Sequence, residues 1–306
     1  MALTSIKFAE QGCAAAFRAA SALATTTALG LASMGAAMAS DGIAKPWQMD
    51  LQEAASPVAE FIHSFHYGLL VTITVITLFV LALLILVAVK FNAKANPVPS
   101  QTTHHVGLEV AWTLIPVLIL VVIAIPSFRL LKEQIVPPKA DMTIKVIGNA
   151  WYWKFEYPKD SGGFEFEARM LADEDIAKAI KDGKGKKEDF PRLLAVDNEV
   201  VVPVNKVVVV QVTATDVIHA FAVQAFGVKV DAVPGRLNQT WFKATKEGIY
   251  YGQCQELCGK DHAFMPLAIR VVSEEKYAAW LAAAKKKYAA IGDAPVQTAE
   301  TTISAR

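Results

Sequence analysis

The chain has 306 residues, room for about two domains, and 54% of them are hydrophobic, with a mean hydropathy of +0.34 that is too high for an ordinary soluble enzyme. Thirty basic residues against 29 acidic ones leave a net charge of +1, so no positive field exists to hold nucleic acid. Three cysteines cannot make a disulfide framework, so the excess apolar residues must be explained by where they sit.

They fall in three blocks. The first begins near Lys7 and Arg18, runs without charge through Ala- and Thr-rich sequence to Ser40, and closes on Ala37-Met38-Ala39. This pattern predicts a cleaved export signal over 1–39, which would carry Cys13 away with it. A short external segment over 40–60 follows. No Asp, Glu, Lys or Arg occurs from Phe61 to Val89 or from Val110 to Phe128. Each run is long enough to cross a hydrocarbon core of roughly 30 Å as a helix. The loop between them carries Lys90 and Lys94 and no acid before Glu109, whereas Asp50, Glu53 and Glu60 precede the first run. The charge bias places the loop in the cytoplasm and both ends outside. The sequence therefore predicts a transmembrane helix hairpin over 61–131, anchored in membrane lipid, with a large external C-terminal domain. His63 and His66 are expected to pack at the interface just before the first helix.

The region 141–273 reads as β-structure. β-branched and aromatic runs predict strands at 143–147, 151–157, 193–196, 199–204, 206–213, 237–243 and 267–272, punctuated by Pro234-Gly235 and Glu247-Gly248. An all-β sandwich or Greek-key barrel follows. Residues 172–187 predict a surface helix, acidic first and basic later. Residues 274–290 predict another, with Lys285, Lys286 and Lys287 where the helix dipole favours cations. A polar tail completes the segment 274–306.

The chemistry is concentrated in the stretch from Tyr250 to Pro266, YYGQCQELCGKDHAFMP. Cys254, Cys258, His262 and Met265 are spaced so that one tight loop can aim all four side chains at one centre. Thiolate, imidazole and thioether together select copper, and His219, after a strand, offers a second imidazole. Two thiolates can bridge two copper ions. An exported C-x-x-x-C pair could equally be a disulfide, and zinc is a further candidate, although structural zinc sites rarely use Met.

Several segments resemble subunit II of the haem-copper cytochrome c oxidases, in its alphaproteobacterial aa3-type form: GQCQELCGKDHAFMP, DVIHAFAVQAFGVKVDAVPGRLNQTWF, LLAVDNEVVVPV, WYWKFEYP and LEVAWTLIPVLIL. The resemblance runs from about Trp47 to Val272 and implies a two-helix anchor with a cupredoxin-like domain holding binuclear copper A. It implies that Cys254 and Cys258 bridge the coppers, with His219 and His262 as terminal imidazoles and Met265 and the Glu256 carbonyl as weak ligands. The Glu256 carboxylate would reach a magnesium ion shared with subunit I. Trp151 would be the surface point where electrons enter from cytochrome c, and Glu109 the cytoplasmic mouth of a proton path. Haem is expected in subunit I and not on this chain; subunit I, other oxidase subunits, membrane lipid and cytochrome c are the implied partners. Asn149-Ala150 stands where the family usually has His-Gln. Asp216, Glu156, Asp160 and Asp197 are the carboxylates available to face a cationic cytochrome. A second class of protein, a membrane-anchored copper chaperone or thiol-exchange assembly factor, would carry its C-x-x-x-C on a thioredoxin-like α/β domain.

Overall fold

The computed structural model describes residues 42–288; the expected export signal, Cys13 and the tail beyond Tyr288 lie outside the described residues. Two long apolar helices come first, α1 (Pro57–Lys90) and α2 (Val106–Ile135), both longer than their charge-free runs. Their apolar side chains point outward almost throughout, as in a helix whose solvent is lipid. Pro116 and Pro126 sit inside α2, tolerated as in other membrane helices. His63 and His66 lie within the early turns of α1 rather than ahead of it, because the helix begins at Pro57. His66 Nε2 is 4.0 Å from Asp50 Oδ1.

The start of α1 is built into the β domain. Ser56 is fully buried, accepts from Ala59 N as N-cap, and donates its hydroxyl to Phe226 O at 2.7 Å. Pro57 occupies the first helical position, where its missing N–H costs nothing. At the far end of the hairpin, Trp241 Nε1 donates to Glu133 O at 2.8 Å. Both membrane helices are therefore hydrogen-bonded to the domain they anchor.

That domain contains ten strands among the described residues: β1 (Met142–Asn149), β2 (Tyr152–Tyr157), β3 (Phe164–Ala168), β4 (Val200–Pro203), β5 (Val207–Ala214), β6 (His219–Val223), β7 (Val228–Ala232), β8 (Asn238–Lys243), β9 (Gly248–Gln253) and β10 (Pro266–Val272). One sheet runs β3-β2-β1-β5-β8, a second β4-β10-β9, and β6 pairs with β7. Most neighbours are antiparallel, but β1–β5 and β4–β10 are parallel. The sheets close on a core of Ile144, Val146, Phe155, Val210 and Phe242 from one side and Val200, Phe221 and Ile269 from the other. Burying each of these side chains contributes roughly 1.5–3 kcal/mol. This is the cupredoxin-like architecture expected.

Several local expectations are corrected. No strand forms at 193–196: Leu194 and Ala195 N–H groups bond back to Pro191 O, Leu193 takes φ +63°, and only Val196 makes a bridge, to Met170. Strands β3, β6, β7 and β9 were not anticipated. In β6 every residue is buried, so HAFAV shows none of the alternation that marks a half-exposed strand. Trp151 leaves the strand assigned to it and sits with Ala150 in the two-residue turn between β1 and β2, where the Ala150–Trp151 peptide is cis. The surface helix is shorter than expected, α3 (Asp173–Lys181), and gives way at Gly183, φ +71°. The closing helix α4 (Glu274–Tyr288) packs on the ends of β2 and β3, with Trp280 tilted against Tyr157 and edge-on to Phe164, and Tyr288 stacked on Phe164 and Phe166.

Candidate metal centre

Three structural pieces meet at one end of the domain. Strand β6 begins at His219, the loop between β9 and β10 carries Cys254 to Met265, and the β1–β2 turn lies beside them. His219, Cys254 and Cys258 are buried, and their ligating atoms lie within 4.8 Å of one another. Both cysteines are free thiols with their sulfurs 3.9 Å apart, well beyond the S–S bond of about 2.05 Å that the disulfide reading needs.

The remaining donors divide between the two thiols. Cys254 Sγ faces His219 Nδ1 at 3.9 Å and the Glu256 carbonyl oxygen at 3.3 Å. Cys258 Sγ faces His262 Nδ1 and Met265 Sδ, each at 3.5 Å. His262 belongs to a 3₁₀ turn (His262–Phe264) that drops Met265, 1% exposed, into the interior. The Glu256 side chain is exposed.

Several neighbours shape this cluster. Trp153 is buried, donates Nε1–H to Met265 O at 3.1 Å, and sets its ring edge-on to His219, 6.0 Å between centroids. Gly148 leaves room for the imidazole: a Cβ there would come within 2.8 Å of the His219 ring. Gly259, at φ +121°, does the same for Trp151, whose indole lies against the loop and donates Nε1–H to Cys258 O at 3.1 Å. Lys260 Nζ sits 5.5 Å over that indole. Asp216 Oδ1 is 2.9 Å from His219 Nε2.

The electrostatics follow from these contacts. Burial would raise the Asp216 carboxyl, but hydrogen bonds from His219, Val217 and Ala150 outweigh it and hold the group below its ordinary value. Burial opposes protonation of His219, yet Cys254 and Asp216 together raise it. Cys254 is likewise pushed up by burial and pulled further down by His219 and by backbone at Glu256 and Ala220. Cys258 is raised by burial and by the neighbouring Cys254 charge. The pair thus ionises in two steps, the first thiolate opposing the second.

The expected carboxylate face is largely engaged elsewhere. Asp216 serves His219, Glu156 pairs with Lys145 at 3.1 Å, and Asp197 accepts from Arg169 N at 2.7 Å. Trp153, Gly148 and the partnership of Asp216 with His219 were not picked out from the sequence. Only the last left a readable sign, an Asp three residues before the His in Asp216-Val217-Ile218-His219. Glu109 lies far along the chain in the first turn of α2, where a carboxylate oxygen accepts from His105 N at 3.3 Å.

The donor set fits copper. Two thiols, two imidazoles and a thioether are soft or borderline ligands, and no carboxylate oxygen is among them. Fold and site together define a membrane-anchored, cupredoxin-like protein with a thiol-rich centre suited to copper, rather than an α/β thiol carrier. Residues 142–272 match the family model described as "Cytochrome C oxidase subunit II, periplasmic domain", and residues 44–130 match "Cytochrome C oxidase subunit II, transmembrane domain". The chain belongs to the cytochrome c oxidase subunit II family. It is 50% identical over 248 residues to a "Probable cytochrome c oxidase subunit 2" of Rickettsia bellii, covering 81% of this chain and 88% of that one. It is 46% identical over 254 residues to the "Cytochrome c oxidase subunit 2" of Cereibacter sphaeroides, covering 80% and 82%. The two apolar helices and the periplasmic-type domain make it an inner-membrane protein with its C-terminal domain in the periplasm.

Proposed function

We propose that this chain accepts electrons one at a time from reduced cytochrome c at a binuclear copper A site and passes them to haem in subunit I, where oxygen is reduced to water. The observation that carries this reading is the convergence of His219, Cys254 and Cys258 in the interior of a rigid β domain, with His262 and Met265 against the second thiol. The Cys254 and Cys258 thiolates would be the shared ligands of a copper pair, the His219 and His262 imidazoles its terminal ligands, and Met265 and the Glu256 carbonyl its weak ones. Bound there, copper would supply a one-electron acceptor.

The protein's own part is preorganisation. The loop donors hang from β9 and β10, which pair antiparallel from Pro266↔Gln253 onward, so the two ends of the loop are pinned side by side. Trp153 and Asp216 fix a ligand backbone and a ligand ring, the supporting contacts that keep first ligands in place. Buried walls keep water from the thiols.

Further roles attach to residues outside the ligand set. Trp151, half-exposed and hydrogen-bonded to Cys258 O, is assigned as the point where electrons enter. The exposed Glu256 carboxylate is assigned to a magnesium ion at the subunit I boundary. Glu109, at the loop end of the hairpin, is assigned to proton uptake; Glu109→Gln is expected to slow proton uptake with the copper spectrum intact, and unchanged pumping and turnover would remove the assignment. Residues 1–39 are assigned as the export signal, 40–60 as the external lead-in and 61–131 as the anchor, with the copper domain over 141–273.

Electron paramagnetic resonance of the oxidase containing this chain tests the reading. A seven-line hyperfine pattern from two equivalent copper nuclei is expected; a four-line pattern, or no bound copper at this subunit, would overturn it.

A further inference from the structure

Asp216 is the acceptor for three donors. His219 Nε2–H and Val217 N–H both point at Oδ1, at 2.9 and 2.7 Å, and Ala150 N–H points at Oδ2 at 2.7 Å. A carboxylate accepts only, so each of these bonds is allowed; an amide in its place would turn an NH₂ toward one of the donors. The bond to His219 also determines where the imidazole proton lies. With Nε2 donating, the lone pair of the neutral ring is on Nδ1, the atom that faces Cys254 Sγ. His219 is 0% exposed, so no solvent competes to set the other tautomer.

The second oxygen reaches a different element. Ala150 shares the β1–β2 turn with Trp151, and the contact is reinforced by Thr215, whose hydroxyl lies 2.6 Å from Asn149 Oδ1 and whose N–H donates to Gly148 O. Residues 215–217 and 148–150 are thus zipped together. Trp151 is held from two directions, directly to Cys258 by its indole and indirectly to His219 through Ala150 and Asp216.

We propose that Asp216 is a positioning residue for the copper site, fixing the proton of His219 on Nε2 so that Nδ1 is the metal-facing atom, and clamping the Ala150–Trp151 turn to the same imidazole. This rests on the copper reading of the cluster. It departs from the role that charge alone assigns to Asp216, a carboxylate that attracts a cationic donor from a distance. Steering needs a negative charge near the surface; positioning needs the two oxygens where they are.

The two roles separate in the purified oxidase carrying Asp216→Asn or Asp216→Glu in this chain, with Asp197→Asn as a surface-charge control. Loss of a supporting contact to a metal ligand typically costs roughly 10- to 100-fold in metal affinity or activity. Both Asp216 variants are expected to show an altered copper hyperfine pattern, to lose copper to a chelator at correspondingly lower concentration, and to take up electrons more slowly at saturating cytochrome c. Asp216→Glu keeps the charge but moves the oxygens, so it is expected to fail as well. A wild-type spectrum and chelator resistance in the variants, with only a raised KM for cytochrome c at low salt, would overturn the proposal in favour of steering. Where Asp216→Asn does not accumulate in the complex, Asp216→Glu decides by the same criteria. If the unsubstituted oxidase itself lacks the binuclear spectrum at this subunit, the copper reading fails, which is a separate outcome.

Discussion

The indole nitrogen of Trp151 donates a hydrogen bond to the carbonyl oxygen of Cys258, 107 residues further along the chain, at 3.1 Å. A half-exposed aromatic ring is thereby joined through one hydrogen bond to the backbone of a buried thiol. Trp151→Phe keeps an aromatic side chain but removes the indole and its N–H donor. Stopped-flow reduction by cytochrome c is expected to slow by roughly 10-fold or more, the lower end of what supporting contacts carry at metal sites, with the copper spectrum unchanged. An unaltered rate would show that neither the indole nor its hydrogen bond is needed for electron entry.

Lys260 places a cation over the same ring, 5.5 Å from Nζ to the centroid. At about 0.1 M salt the screening length is roughly 10 Å, so this charge acts on any partner that docks at Trp151. Lys260→Glu is expected to speed association with a cationic cytochrome and to steepen its dependence on ionic strength. Salt titration of the second-order rate reads this out directly.

Gly148 lies beneath His219, and a methyl group there would meet the ring at 2.8 Å. Because the neighbouring atoms are a buried imidazole and not a flexible chain end, Gly148→Ala must push the ligand aside. A loss of about 1–3 kcal/mol in stability, the usual range for overpacking, is expected from thermal unfolding, together with a distorted copper spectrum.

Trp153 meets the His219 ring edge-on and satisfies Met265 O. Trp153→Phe leaves that buried carbonyl without its donor, which costs about 1–3 kcal/mol. A lower unfolding temperature is expected, and Met265, whose carbonyl is released, should make the thioether side of the copper signal change first.

Ser56 joins anchor and domain by capping α1 and donating to Phe226 O. Ser56→Ala removes both bonds and is expected to cost about 0.5–2 kcal/mol for the cap alone. Thermal melts of the detergent-solubilised oxidase should fall while the copper signal at low temperature is retained.

Much of this was legible along the chain, and for local reasons. The hairpin shows in two charge-free runs, because a membrane helix needs little more than length and apolarity. Cys254, Cys258, His262 and Met265 sit close in sequence, so their spacing alone points to a shared centre. Strands with β-branched runs, such as Val207–Ala214, were also visible. By contrast, β6 is buried on both faces and shows no alternation, while Gly248–Gln253 opens on a glycine that reads as a turn. The run 193–196 was misread because its apolar residues pack a turn instead of a ladder.

The sequence by itself determined the chemistry on offer: a membrane anchor, an exported β domain and a set of soft ligands confined to one loop plus one distant histidine. Only the tertiary structure decided how that chemistry is held. The parallel pairing of β1 with β5 brings Gly148 alongside Ala214, at the foot of the loop that carries Asp216 and leads into β6 at His219. It also puts the Ala150–Trp151 turn within one hydrogen bond of Asp216. Residues 66 positions apart become neighbours there, and contacts of that range depend on strand register, which no local pattern records. Asp216 therefore reads in the sequence as one acidic charge among many. In the fold it is an acceptor bonded to both a ligand ring and the turn that carries Trp151.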